Sequence, residues 1–272
     1  MRIEPTVFAD PATLGEAVAA LVLARIGARP AGAPFVLGCP GGRSALSSYR
    51  ALARRAAAEG TDLSGLRVLM MDEYVEQGPD GPAPVDPGLA HSCRRFGRVE
   101  IVEPLRAAAA DAGVPESRRV AVDALEVPDP ADPEAYEHRL DALGGVDLFL
   151  LASGAGDGHV AFNTPGSAPD SRTRVVPLPD STRTDNLATF PSFGGRLENV
   201  PAHGVTVGVG TIRDRSAEVV MIVHGRDKQT AFGRLTAAEG YQSDWPATVV
   251  ADCRTPHLYA DRAAAGGPER RS

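Results

Sequence analysis

Short apolar runs alternate with amphipathic stretches along most of the chain, and this alternation predicts its elements. PFVLGC (34–39), RVLMMDEY (67–74) and VDLFLLA (146–152) read as buried strands. RVVPL, GVTVGVGTI, EVVMIVHG and HLYA read as further strands, with a short one near Val120. Between them, ATLGEAVAALVLARI carries apolar residues at helical spacing, with Asp10 as its cap and Pro11 at its first position. Ser44 is expected to cap a helix through ALSSYRALARRAAAEG, which Gly60 ends. Further helices are expected from about Leu105 to Ala112, over EAYEHRLDAL, through STRTDNLATF, and from Asp227 to about Leu235. Asp132 and Pro133 open the second of these, and Gly144 and Gly145 close it.

Apolar strands alternating with amphipathic helices imply an α/β fold, a doubly wound and mostly parallel sheet with helices on both faces. No repeat or linker divides the chain, so residues 1–262 are expected to form one domain and 263–272 a disordered tail. Residues 76–97 are rich in Gly, Pro and Asp and read as a long loop with at most a short helix near 90–96. That region, or 160–200, is the expected lid or insertion.

Composition narrows the function classes. The 272 residues are 43% hydrophobic and carry a formal net charge of −7, which argues against nucleic acid as a partner. Cys39, Cys93 and Cys253 are scattered without metal-ligand spacing, and neither a signal peptide nor a membrane-length apolar run is present. A cytoplasmic protein is expected. Lys228 is the one lysine in the chain, among many arginines.

Four segments sit where strands should end, the edge at which open α/β sheets bind ligands. The first is GCPGGRS, where Gly41 and Gly42 precede Arg43 and Ser44 at the start of a helix. Loop amides, a helix N-terminus and two side-chain donors suit an anion, although an ordinary strand–helix turn needs the same glycines. Asp72 and Glu73 close the second strand, and a carboxylate there can act as a general base or merely be solvated. In SGAGDGHVAFNTPGS, Asp157 stands two residues before His159, close enough to orient an imidazole for acid–base work. No second histidine or cysteine completes a metal set, so no metal is expected. Lys228 in HGRDK offers a compact ammonium at the end of another strand.

Taken in order, these segments resemble the glucosamine-6-phosphate deaminase family, within the wider sugar-phosphate isomerase and 6-phosphogluconolactonase-like fold. The similarity runs from about residue 8 to 262 and is most specific in VLMMDEYV, GDGHVAFNTPGSAPDSRTRVVPL and VTVGVGTIRDRSAEVVMIVHGRDK. It implies a cofactor-free enzyme that converts an amino-sugar phosphate into a keto-sugar phosphate and ammonia. By that resemblance His159, oriented by Asp157, assists ring opening, and Asp72 shuttles a proton between C2 and C1. The 41–44 loop and Lys228 hold the phosphate. A homo-oligomer is a further possibility.

The chain also departs from the family. Thr164 stands where a relay glutamate is usual, and Ala188 where a phosphate-binding arginine is usual. Arg43 replaces a small residue, and Ser92–Cys93 replaces a serine–tyrosine pair in the lid. These changes point to an altered substrate. The alternatives are a sugar-phosphate isomerase, epimerase or lactonase of a specialised pathway, and a non-catalytic sugar-phosphate-binding protein.

Overall fold

The computed structural model of the protein describes residues 2–79, 81–187 and 189–267. Its first strands are β1 (Pro5–Phe8), β2 (Phe35–Cys39), β3 (Leu66–Met70), β4 (Asp72–Gly78), β5 (Gly81–Pro84) and β6 (Leu125–Glu126). There follow β7 (Val146–Ala152), β8 (Arg174–Pro177), β9 (His203–Thr206), β10 (Ser216–Val223) and β11 (Pro256–Asp261). Seven strands pair in parallel in the order β1-β11-β10-β7-β2-β3-β6, the sheet that the apolar runs predict. The other four make an antiparallel sheet, β5-β4-β9-β8, which the sequence did not distinguish.

The helices are α1 (Pro11–Gly27), α2 (Leu46–Glu59), α3 (Cys93–Phe96), α4 (Glu103–Asp111), α5 (Pro133–Leu143), α6 (Asp180–Leu187), α7 (Val209–Arg215) and α8 (Gln229–Ala237). One core packs α1, α2 and α4 on the large sheet through Leu14, Leu52 and Leu105. A second packs α5, α7 and α8 on the opposite face through Leu140, Ile212 and Leu235. A third, around Tyr74, Phe162 and Phe193, lies under the small sheet. Asp10 caps α1 as expected, its carboxylate accepting from Thr13 N–H at 2.8 Å, an interaction of about 1 kcal/mol.

Several elements differ from the sequence reading. RVLMMDEY is two strands, because Met71 leaves the large sheet: its N–H donates to Cys39 while its carbonyl accepts from Val207. VTVGVGTI stops being a strand at Thr206 and becomes α7, whose Val209 and Ile212 are wholly buried. Ser44 does not cap α2, which is entered through a 3-10 turn at Arg43–Ala45 without a side-chain cap. Lys228 precedes α8 in a similar turn, and the short parallel strand lies at Leu125–Glu126 instead of near Val120. The edge strand β1 went unread. Both expected lid regions contribute to one structure, β5 and α3 from the first and β8 and α6 from the second. The expected tail boundary at 263 falls within a turn, where Ala264 is buried and its N–H donates to Asp261 Oδ1 at 2.8 Å.

Candidate active site

The loops that leave β2, β3, β7 and β10 open at one edge of the large sheet, and α6 covers them. Together they enclose a cavity of about 490 Å³. Gly41, Gly42, Arg43, Ser44, Asp72, His159 and Lys228 all line it, with Asp157 directly behind His159. The four segments singled out in the sequence therefore meet in one place.

Asp72 is the first residue of β4, at the junction of the two sheets, and is only 6% exposed. Burial pushes its carboxyl up to about 7; the Cys93 thiol, donating at 3.2 Å, and the His159 charge pull it down, and the Glu73 charge pushes it up. A carboxyl balanced near neutrality can both take and return a proton. Glu73 has a different job. Its buried carboxylate accepts from Cys93 N–H (2.8 Å), Arg94 N–H (2.9 Å) and Ser92 Oγ (2.9 Å), capping α3 and so holding the Cys93 thiol against Asp72.

Asp157 and His159 form a close pair, Oδ1 to Nδ1, at 2.6 Å. The other carboxylate oxygen accepts from Thr182 at 2.8 Å and Ser181 at 3.2 Å, both at the start of α6. Burial opposes the Asp157 charge, but the bond to His159 and its charge, with the Thr182 hydroxyl, hold the carboxyl below its usual range. An ionised carboxylate can only accept, so Nδ1 carries a proton and Nε2 is left for ligand chemistry. The glycines around the pair are required by space. A Cβ on Gly154 would lie 2.3 Å from His159 Nδ1, and one on Gly158, at φ +67°, would lie 2.3 Å from the Trp245 ring. Ala161, which lines the cavity next to them, adopts φ 51°, a strained conformation for a residue with a side chain. Asn163 serves the loop, its amide bonding the carbonyls of Val160 and Val207.

On the β10 side, Lys228 Nζ donates to the Ser153 carbonyl at 2.8 Å. Burial lowers its pKa, while the Asp227 and Asp185 charges raise it. Arg43 faces Asp227 at 4.0 Å, with both side chains about half exposed. Thr164 lies outside the cavity lining, and its carbonyl closes a turn with Ser167. Ala188 lies outside the described residues.

Sequence reasoning missed Asp185, Asn186 and Asp227, all of which line the cavity. The first two sit in the polar stretch STRTDNLATF, where periodicity alone does not tell a ligand-facing residue from a solvated one. Ligand atoms of Asp157, His159 and Asp185 lie within 4.8 Å of one another, close enough for a cation. Asp157, however, spends both oxygens on protein donors and His159 Nδ1 on one of them, so a metal would have to displace bonds already made.

Comparison with known proteins matches residues 9–259 to the family of glucosamine-6-phosphate isomerases and 6-phosphogluconolactonases. The chain belongs to this family. A glucosamine-6-phosphate deaminase of Rhodococcus jostii is 38% identical, over 85% of this chain and 81% of its own length. One from Mycolicibacterium smegmatis is 36% identical, over 91% and 86%. Among solved structures, a monomeric glucosamine-6-phosphate deaminase superposes with a TM-score of 0.80 at 24% identity, covering 98% of this chain and 99% of that one. The 6-phosphogluconolactonase of Trypanosoma cruzi superposes at 0.68 with 18% identity, covering 98% and 97%. These two structures bear on the fold. No described helix is long and apolar enough to cross a membrane.

Proposed function

We propose that the protein is an enzyme that moves a proton between adjacent carbons of an amino sugar, isomerising aldose to ketose as water replaces the C2 amino group and ammonia leaves, on a substrate other than glucosamine-6-phosphate. The observation that carries this reading is the pairing of two proton carriers in one cavity. Buried Asp72, with its carboxyl near 7, serves as the C2–C1 shuttle, and His159, oriented by Asp157, serves ring opening. The curated deaminase relatives support the reaction class. The altered substrate is supported by the wall around Lys228, where Asp185 and Asp227 join the cations and Thr164 stands away from the cavity.

The test is to incubate the purified protein with glucosamine-6-phosphate in heavy water. Ammonia release and entry of deuterium from solvent into the sugar are followed together. Ammonia release as fast as that of the Rhodococcus relative, measured side by side, would exclude an altered substrate. Deuterium entry without ammonia would replace the deaminase reading with a plain isomerase.

A further inference from the structure

Two different parts of the molecule hold Asp157. Its Oδ1 accepts twice from His159, from the ring at 2.6 Å and from the backbone N–H at 3.1 Å. Its Oδ2 accepts from the Thr182 hydroxyl at 2.8 Å and from the Ser181 hydroxyl at 3.2 Å. Among the described residues, these two hydroxyls are its only donors from outside its own loop. Ser181 is exposed and Thr182 is wholly buried, so water competes for the first bond and not for the second. The bonds to His159 fix one oxygen only. A carboxylate bonded at a single oxygen turns readily about its Cβ–Cγ bond, where the torsional wells are broad.

The helix that supplies Thr182 is itself tied down on two sides. Toward the cavity, α6 meets the 153–160 loop a second time three residues on, where Asp185 Oδ2 accepts from Ala155 N–H at 3.1 Å. Residues three apart on a helix share a face, so both contacts belong to one docking surface. Away from the loop, the Arg183 guanidinium donates to the Leu197 carbonyl at 2.7 Å and to the Val200 carbonyl at 2.9 Å. Asp185 also lines the cavity.

We propose that Thr182 is the positioning residue of the Asp157–His159 pair, so that one helix both walls the cavity and sets the orientation of its imidazole. This rests on the ring-opening role given to His159 above and deepens it. Ring opening takes the anomeric hydroxyl proton onto Nε2 and returns it to the ring oxygen as the C1–O bond of the ring breaks and the C1 carbonyl forms. Nε2 must therefore present a lone pair, which requires the ring proton to stay on Nδ1. The Thr182 hydroxyl secures this by bonding Oδ2, which leaves Oδ1 aimed at Nδ1. Thr182 touches no reacting atom and acts through Asp157 alone.

The experiment is ¹⁵N NMR of the full-length protein with labelled histidine, at alkaline pH, the His159 signal being the one lost in His159→Gln. Native His159 is expected to carry its proton on Nδ1 alone. Thr182→Val keeps the side-chain shape without the hydroxyl and is expected to give a mixture of Nδ1–H and Nε2–H rings. Thr182→Ser, which keeps the hydroxyl, is expected to restore the native signal. Thermal unfolding checks that each variant is folded, and Thr182→Ala gives the same comparison where valine is not. A native signal in the variant without the hydroxyl overturns the proposal, as does a serine variant no closer to native than valine. With glucosamine-6-phosphate as the probe, Thr182→Val should lower kcat about tenfold and change KM by less than about threefold. A raised KM with kcat unchanged overturns the positioning role. The two readings fail separately. His159→Gln turning over a closed-ring sugar at the native rate defeats the ring-opening reading, and an unmoved ring signal in Thr182→Val defeats this one alone.

Discussion

The two sides of the cavity are built on different principles. On the β3 side, contacts converge on one carboxylate. The sheet junction at Met71 sets Asp72 in place, Glu73 caps α3, and α3 delivers the Cys93 thiol to Asp72. On the β10 side, charges stand in opposition, Arg43 to Asp227 and Lys228 to Asp185 and Asp227. The first arrangement is tied to the backbone of two sheets, so the fold itself sets its geometry. The second is made by loop and helix side chains that can change with little cost to folding, and there a family keeps its chemistry while a member changes its ligand.

The largest break in this comparison is Asp72→Asn. Turnover should fall by about 10³-fold or more, since no other carboxyl among the described residues is both buried and facing the cavity from β4. Sugar binding should change by less than about threefold, because recognition is assigned to the other side. A variant that keeps a tenth of the native rate in a deuterium-exchange assay would remove Asp72 from the chemistry. Next in size is His159→Gln. It should cost about 10²-fold in turnover of a closed-ring sugar and little on an open-chain analogue, because the imidazole is assigned to ring opening. Equal losses on both substrates, in parallel rate measurements, would place His159 in the C2–C1 step instead.

How much of this was legible in the sequence follows the same division. VDLFLLA and PFVLGC announced central strands because residues buried on both sheet faces are apolar throughout. PTVF did not, because a short edge strand with an exposed Val7 carries no such pattern. VTVGVGTI was overread for the opposite reason: α7 is buried, and a buried helix looks as continuously apolar as a strand. Hydrophobicity likewise cannot say which sheet a strand joins, so the break at Met71 was invisible although Asp72 beside it was not. Asp72, Asp157 and His159 stood out because acids and a histidine interrupt apolar or glycine-rich stretches. Asp185 and Asn186 lie in a helix already full of polar residues, and only packing shows that they face inward.

Asp72 also ties the chemistry to stability. Its carboxyl is raised from 3.8 to about 7, so the folded state binds that proton more tightly than the unfolded chain does. The resulting stability is fully present below about pH 4 and is lost as pH rises to about 7. Asparagine cannot ionise, so Asp72→Asn should be more stable than the native protein at pH 8, by roughly 2–4 kcal/mol, and gain little at pH 4. Thermal unfolding at the two pH values measures this. A gain of the same size at both would mean that the buried charge is not its source.

The smallest expected effect is the most specific to this chain. The Cys93 thiol donates to Asp72 Oδ1 at 3.2 Å and lowers its pKa against the larger effect of burial. Removing it in Cys93→Ala takes away a donor to the ionised form, so the carboxyl should titrate still higher. As the base must be ionised to act, native activity should fall about tenfold per pH unit below its pKa and level off above it. The variant's acid limb should move upward, giving a several-fold lower rate at pH 6 and a near-native rate at pH 9. Cys93→Ser, which restores a hydroxyl donor, should bring the limb back toward the native position. A uniform loss at every pH would show instead that the substitution had merely loosened α3, and a serine variant no better than alanine would separate the thiol from the tuning of Asp72.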